Sequence, residues 1–449
     1  MVYGPHTPET REQMLAALGL ESVDQLFDDI PAPVRATALD LPEPISELTL
    51  SRELASLASH NRVDLASFLG AGVYQHHIPA AVDAVLSRGE FYTAYTPYQP
   101  EISQGTLQTI YEFQSLIGQL TGLPVVSASH YDGAAATAEA ALMTVRAKRR
   151  DRVLISRAVH RHYVETTRTY FAAGTRELEE LPTTSDGLTD LAALEAALAD
   201  TERPVAGVIL GQPNSFGLLE PMAAAAELAH AAGALFVAVV EPTSLAVLAP
   251  PDDYGADIAA GEGQPLGIAP QYGGPYLGLL ACSTELIRQI PGRLVGATTD
   301  IEGRRAFVMT LRAREQDIRR DKAASNICTN QALCALAATT YLATLGPHGL
   351  VDVAAAGAAA AQRLERALAD VGFERVHAAP YLNEFAVRVP DAATVHARLL
   401  DEGVLAGLPL AVWYPQDPDL SDALLLCATE LTSDDDIERL VAGLREVTA

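Results

Sequence analysis

The sequence predicts an α/β protein: a large domain on a mostly parallel sheet, then a smaller C-terminal α+β domain. Two patterns predict it. Between Arg152 and Cys282, short apolar runs alternate with helical segments, the pattern of a parallel sheet covered on both faces. After a long helical stretch from Thr329, a β-α-β-α succession closes the chain. A length of 449 residues, 49% of them hydrophobic, allows a large core and two or three domains.

Residues 1–85 read as a helical arm. Thr10–Leu18 and Val23–Phe27 are short amphipathic pieces, and Pro31, Pro33, Pro42 and Pro44 break the chain after them. Residues 86–345 form the large domain. Its first helix, Leu107–Leu120, carries Leu107, Ile110, Phe113, Ile117 and Leu120 at helical spacing and stops at Gly122. Ala134–Lys148 is an alanine-rich helix. Strands follow at Arg152–Ile155, Val205–Leu210, Leu235–Val240, Asp257–Ala259 and Leu277–Cys282, with helices near His162–Ala172 and Glu220–Ala232. The helix Thr329–Leu345 ends at Gly346-Pro347. Residues 346–449 form the small domain, with strands at Glu384–Val389 and Leu424–Ala428 and helices at Val351–Val371, Ala393–Glu402 and Asp434–Val447.

Charge narrows the function. The chain carries 57 acidic against 31 basic residues, a net charge of −26. Such a surface repels nucleic acid and anionic membranes, which excludes both as partners. Only Lys148 and Lys322 among the basic residues are lysine. Acid excess with almost no lysine resembles the proteins of salt-adapted organisms. The four cysteines have neither CxxC spacing nor the density of a disulfide framework, so free thiols and no zinc site are expected. The N-terminus has no basic and apolar leader pattern, and no apolar run approaches the roughly 18 residues of a membrane span. A cytoplasmic protein is the expectation.

Several segments carry chemistry. Tyr95–Gly105 (YTPYQPEISQG) sets two phenols, a carboxylate, a hydroxyl and an amide on a backbone stiffened by prolines. Tyr95, Tyr98, Glu101, Ser103 and Gln104 are its substrate-facing or interface candidates; the structural alternative is a loop capping the next helix at Ser103. Ser129–Glu139 is a small-residue loop opening a helix, where backbone amides around Asp132 and Gly133 could hold an anion, or Asp132 could act as N-cap. His160-Arg161-His162-Tyr163 follows a strand, with His160 as a ring-stacking candidate. His76-His77 lacks a third metal ligand. Gly211–Gly217 and Glu241-Pro242-Thr243 end buried strands at the edge where open α/β sheets place ligands. Arg312, Arg314, Arg319, Arg320 and Lys322 form the one notable basic cluster, either a solvated face or an edge for a carboxylate or acidic partner.

Gly255–Cys282 resembles the cofactor floor of pyridoxal 5'-phosphate (PLP) enzymes of the aminotransferase fold, fold type I. There a Gly-x-Asp strand leads, about eight residues on, to a Schiff-base lysine. Here Asp257 matches and the slot holds Gln264-Pro265, which offers no amine. Further, YQPEISQG (98–105), YDGA (131–134), GEGQPLG (261–267), GGPYLG (273–278) and KAASNICTNQAL (322–333) occur in order. Together they resemble the alpha subunit, or subunit 1, of the glycine cleavage system P protein, and the likeness runs to Ala428-Thr429-Glu430. The resemblance implies an oxidoreductase that acts with a beta subunit in an α2β2 tetramer. The complex decarboxylates glycine and passes the aminomethyl group to the lipoyl arm of H protein. It also implies that PLP sits on the beta subunit, leaving here a vestigial pocket at Asp132, Gly133, His160, Glu241 and Gln264. Residues alone leave two alternatives: a stand-alone PLP lyase or aminotransferase using Lys148 or Lys322, and a non-catalytic scaffold.

The charge generates a first prediction. Lowering salt from 1 M to 0.1 M lengthens the Debye length from about 3 Å to about 10 Å, so neighbouring carboxylates repel over a longer range. The melting temperature should fall across that change; an unchanged value in differential scanning fluorimetry would refute salt adaptation.

Overall fold

The computed structural model describes residues 4–35 and 40–448. They fall into two compact units, Met1–Val63 and Asp64–Ala449. In the first, the helix Pro8–Leu18 starts where Thr7 Oγ1 accepts from Thr10 N and stops at Gly19, which adopts φ 71°. A short 3-10 turn, Val23–Phe27, is fixed by a capping box between Ser22 and Gln25. A further helix, Glu47–Ala58, capped by Ser46, lies just past Pro42 and Pro44. The sequence reading missed it because the prolines mask the start of its Leu50, Leu54, Leu57 stripe. None of these helices has a fully buried residue. The unit is shorter than the arm expected over residues 1–85. Residues 64–85 belong to the second unit, where Phe68 and Val82 are fully buried.

The second unit is organised by a seven-stranded sheet: β1 Val125–Val126, β2 Arg152–Ser156, β3 Glu177–Leu181, β4 Val205–Gln212, β5 Leu235–Val240, β6 Ile258–Glu262 and β7 Gly278–Cys282. The strand order is β1-β7-β6-β5-β4-β2-β3. Strands β3, β2, β4, β5 and β6 run parallel, while β7 is antiparallel to both β6 and β1. This is the mostly parallel sheet that the alternation predicts. Side chains alternate between its faces. Val153, Ile155, Ile209, Val237 and Val239 meet helices α2 (Gly133–Lys148) and α3 (Arg161–Phe171). Leu154, Val208, Leu210, Phe236 and Ala238 meet the helices Leu191–Leu198 and Met222–Ala231 on the other face. With both faces buried, a one-residue slip of any inner strand would trade one packed set for another that does not fit, so register is fixed.

Strand β3, ELEEL, escaped sequence reading. It is an edge strand whose carboxylates pair with arginines: Glu179 with Arg152 at 2.8 Å and Glu180 with Arg161 at 2.8 Å. Its charge guards an open sheet edge and hides the β pattern. The antiparallel end of the sheet is covered by helix α1 (Gln104–Thr121), the helix Ala80–Leu86, and helix α4 (Ala332–Ala369), packed through Phe113, Ile117, Val82 and Tyr341. Helix α4 breaks at Gly346 (φ 62°, ψ −176°), before Pro347, where the sequence predicts an end. An unanticipated hairpin, β8 (Leu294–Thr299) and β9 (Arg305–Thr310), turns through Asp300–Gly303.

Beyond α4, strands β10 (Glu384–Arg388), β11 (Leu408–Pro409) and β12 (Ala423–Cys427) form an antiparallel sheet of order β10-β12-β11. It has its own core, including Leu364, Phe385, Leu399, Leu426 and Leu440. The loop after β4 packs tightly against it. Gly217, in the loop after β4, has φ +79°, and a Cβ there would lie 1.8 Å from Glu384 O.

A Gly217→Ala substitution therefore combines left-handed strain with overpacking, each costing about 1–3 kcal/mol. We expect a loss of about 3 kcal/mol in urea unfolding, and a near-zero loss would show that the two sheets do not meet there.

Candidate active site

The parallel strands β4, β5 and β6 end beside one another, and their C-terminal ends face a small cavity of ≈ 60 Å³. Its lining includes Gly211 near the end of β4, Asn214 after it, Glu241 after β5, Glu262 at the end of β6, His160 at the N-cap of α3 and Tyr163 within α3. The segment Gly70–Tyr74 and Trp413 close it. The carboxylates and the side-chain amides of this floor are all hydrogen-bonded within the chain. Gln264 is clamped: its Oε1 accepts from Tyr74 N at 2.9 Å, and its Nε2 donates to Tyr74 O at 2.9 Å and Ile268 O at 2.7 Å. A lysine could donate to those carbonyls but would leave the Tyr74 amide unpaired. Asp257 sits before β6 rather than at a strand's end; it accepts from Phe236 N at 2.7 Å and pairs with His230 at 2.9 Å.

Glu262 accepts from Gly133 N at 2.9 Å, Gln264 N at 2.9 Å and Leu277 N at 2.8 Å, while burial pushes its pKa up to about 7. Asp132 acts as the N-cap of α2, accepting from Ala135 N at 2.7 Å. Glu241 turns back on its own chain, accepting from Thr243 N and Oγ1 and from Ser244 N. It is a turn cap and presents no free carboxylate. His160 Nδ1 accepts from His162 N at 3.2 Å and Nε2 donates to Ala71 O at 2.9 Å, a pairing that needs the neutral ring. Burial holds its pKa down at about 4. Its ring packs on Tyr163 at 4.7 Å and on Trp413 at 4.6 Å, so its stacking partners are protein side chains. Glu384, fully buried on β10, accepts from Ala71 N at 2.6 Å and Tyr74 Oη at 2.9 Å. Asp132, Gly133, His160, Glu241 and Gln264 thus surround one region. The sequence reading missed Tyr74, Glu262, Glu384 and Trp413 there; only Glu262 carried a signal, as the one acid within GEGQPLG.

The Tyr95–Gly105 loop lies at a different and larger pocket of ≈ 200 Å³, lined by Tyr95, Thr96, Thr106, Thr329, Asn330 and Gln331 among others. Tyr95 is 76% exposed and Tyr98 47%. The Tyr98 ring has the Arg293 guanidinium 5.7 Å and the Arg312 guanidinium 5.6 Å from its centroid. Arg293 in turn donates to Asn330 Oδ1 at 3.0 Å, and Asn330 Nδ2 donates to Ser129 Oγ at 3.0 Å. The polar segment around Thr329 is thereby tied to the tyrosine loop. Glu101 is exposed. Ser103 occupies the N-cap of α1 but makes no capping bond through its side chain. Gln104 pins the loop to the hairpin, its amide exchanging hydrogen bonds with Phe307 N and O at 2.9 Å. Of the basic cluster, Arg312 pairs with Asp317 at 2.7 Å and Arg314 donates to Ile290 O at 2.6 Å.

A family model described as glycine cleavage system P-protein matches residues 1–444. The chain belongs to that family. It is 51% identical over 452 residues to a probable glycine dehydrogenase (decarboxylating) subunit 1 of Moorella thermoacetica, covering 100% of both chains. It superposes on a glycine decarboxylase (P-protein) of the glycine cleavage system, crystallised in inhibitor-bound form, with TM-score 0.91, 44% identity and 100% of both chains covered. A more distant likeness, to an alanine–glyoxylate aminotransferase of Nostoc sp., has TM-score 0.58 at 17% identity, covers 94% of this chain and 100% of that one, and shows the fold alone. The fold is that of PLP-dependent fold type I enzymes. The family gives salt adaptation no support.

PLP, which the fold implies, does not fit the residues of the cavity. The slot is a clamped amide, the helix amide that would face an anion is taken by Glu262, and small-molecule sites run to roughly 300–1,000 Å³ against ≈ 60 Å³ here. Neither lysine lines the cavity. Lys148 ends α2, about 22 Å along the helix from the cavity, and Lys322 is exposed on the 3-10 turn Arg320–Lys322. That geometry opposes a stand-alone PLP enzyme.

Burial pushes the Glu384 pKa from about 4.5 up to about 7. Between those values the folded chain holds a proton that the unfolded chain has shed, so on this group's account stability falls as pH rises. A Glu384→Gln variant keeps partners for Ala71 and Tyr74 and removes that fall. Its unfolding free energy relative to the parent should grow by up to about 1.4 kcal/mol per pH unit across the window. Urea midpoints near pH 5 and pH 7 test this, and a constant difference would mean Glu384 is ionised throughout.

Proposed function

We propose that this chain is the non-cofactor-holding subunit of a glycine decarboxylase that acts in the glycine cleavage system. The observation that carries the reading is a family fold whose cofactor cavity is filled by its own side chains while a separate, larger pocket remains at the tyrosine loop. In this reading the partner beta subunit supplies the Schiff-base lysine and PLP, two of each chain assemble, and the complex works in the cytoplasm. PLP, when bound on the partner, supplies the electron sink for the pair released as carbon dioxide leaves. The aminomethyl group passes to the lipoyl arm of H protein.

This chain's contribution is placement. Tyr95 and Tyr98, on a proline-stiffened loop, would offer hydroxyls across the subunit interface to glycine or to the partner's site. The flanking Arg293 and Arg312 fix the Tyr98 ring and hold positive charge near the carboxylate of an approaching amino acid. Glu101 and Ser103 remain interface candidates of the same loop. The vestigial residues Asp132, Gly133, His160, Glu241 and Gln264 keep the fold closed.

The test is assembly with the partner chain and measurement of glycine-dependent carbon dioxide exchange, which should be absent from either chain alone. Tyr98→Phe keeps the ring between its arginines and removes one hydroxyl, so assembly should survive. Losing an oriented hydrogen bond at a reacting centre costs about 2–4 kcal/mol, or roughly 30- to 1,000-fold in rate. Parental rates from both Tyr95→Phe and Tyr98→Phe would remove this loop from the site, and exchange by the chain alone would overturn the division of labour.

A further inference from the structure

The misfit between PLP and this cavity has a second cause besides the absent amine. Gly133 opens α2, a helix of 16 residues, and its amide points to where the strands of the sheet end. The N-terminus of such a helix favours negative charge. That amide donates to Glu262 Oε2, and two further amides, Gln264 N in the turn after β6 and Leu277 N just before β7, donate to Oε1 of the same carboxylate. Three amides from three parts of the chain thus cradle a single anionic group, the carboxylate of Glu262, across both of its oxygens. The residue is buried, 8% exposed, so little solvent reaches those donors. Asp132 adds a second negative charge to the same helix end.

We propose that Glu262 serves as the chain's built-in anion, taking the amides that the phosphate of an external ligand would require and repelling any that approaches. This rests on the reading that the subunit holds no cofactor, and it names what enforces that state. Replacing Gln264 by lysine alone would then not restore cofactor binding, because the three amides would still be taken by Glu262. Burial and the neighbouring Asp132 both raise the Glu262 pKa, the direction expected for a carboxylate held where charge is crowded.

The experiment uses the full-length chain and inorganic phosphate. Glu262→Ser removes the carboxylate and leaves the three amides facing a vacated space. It should melt below the parent in chloride, and phosphate at matched ionic strength should restore part of the loss. Its apparent phosphate affinity should exceed the parent's by roughly tenfold or more. A folded Glu262→Ser protein indifferent to phosphate would reduce Glu262 to a space-filling role and overturn the proposal. The parent chain gives a test that needs no variant: its melting temperature should not respond to phosphate at constant ionic strength, and a saturable rise would equally overturn the proposal. Neither readout involves the partner subunit, so failure here is distinct from failure to assemble or to exchange carbon dioxide.

Discussion

Two polar residues at the end of one strand, separated by a single glycine, hold the centre of this molecule together. Glu262 draws the start of α2, the turn after β6 and the approach to β7 to a single carboxylate. Gln264, two residues on, clamps Tyr74 and so binds in the segment that lies over the cavity. Buried donors and acceptors left unpaired cost about 1–3 kcal/mol each. Six such groups meet at these two side chains, so the arrangement is over-determined: none can leave without stranding several partners. The wall, the floor and the cover of the cavity are fixed by the same bonds.

That cover also joins the two sheets. Glu384 belongs to the small antiparallel sheet, yet its carboxylate holds Ala71 and Tyr74, which Gln264 holds from the large sheet's side. Gly217 brings the loop after β4 against the same residue's carbonyl. The small sheet is thus attached through polar contacts of fixed direction as well as through packing. The second pocket is built differently. Around Tyr98 the contacts are guanidinium groups on an exposed ring, one from the buried Arg293 and one from the half-buried Arg312. The closed cavity is rigid and internally satisfied; the tyrosine loop is accessible and offers unspent hydrogen-bonding groups.

Much of this was legible in the sequence, for identifiable reasons. The helices of the second unit show periodic apolar residues and glycine stops, and the inner strands are short apolar runs; both signals are local. The missing amine at Gln264-Pro265 was equally local. What escaped was nonlocal or disguised. Strand β3 carries its edge charges in place of an apolar pattern, and the helix at Glu47 lies behind two prolines. Gln104 reads as a ligand-binding amide, but its partner Phe307 lies far along the chain. Glu241 reads as part of the vestigial pocket and is a turn cap bonded to Thr243 and Ser244. Glu262 sat in plain view within a recognisable motif, and its meaning depended on Gly133, more than a hundred residues away.

A cavity furnished entirely by its own side chains is finished as soon as the chain has folded. On the proposed division of labour, the folding of this subunit waits for no small molecule, and only one chain of a working pair draws on the vitamin supply. The closed floor would then make this subunit a permanent half-site, ready before its partner is charged and unchanged when its partner is not.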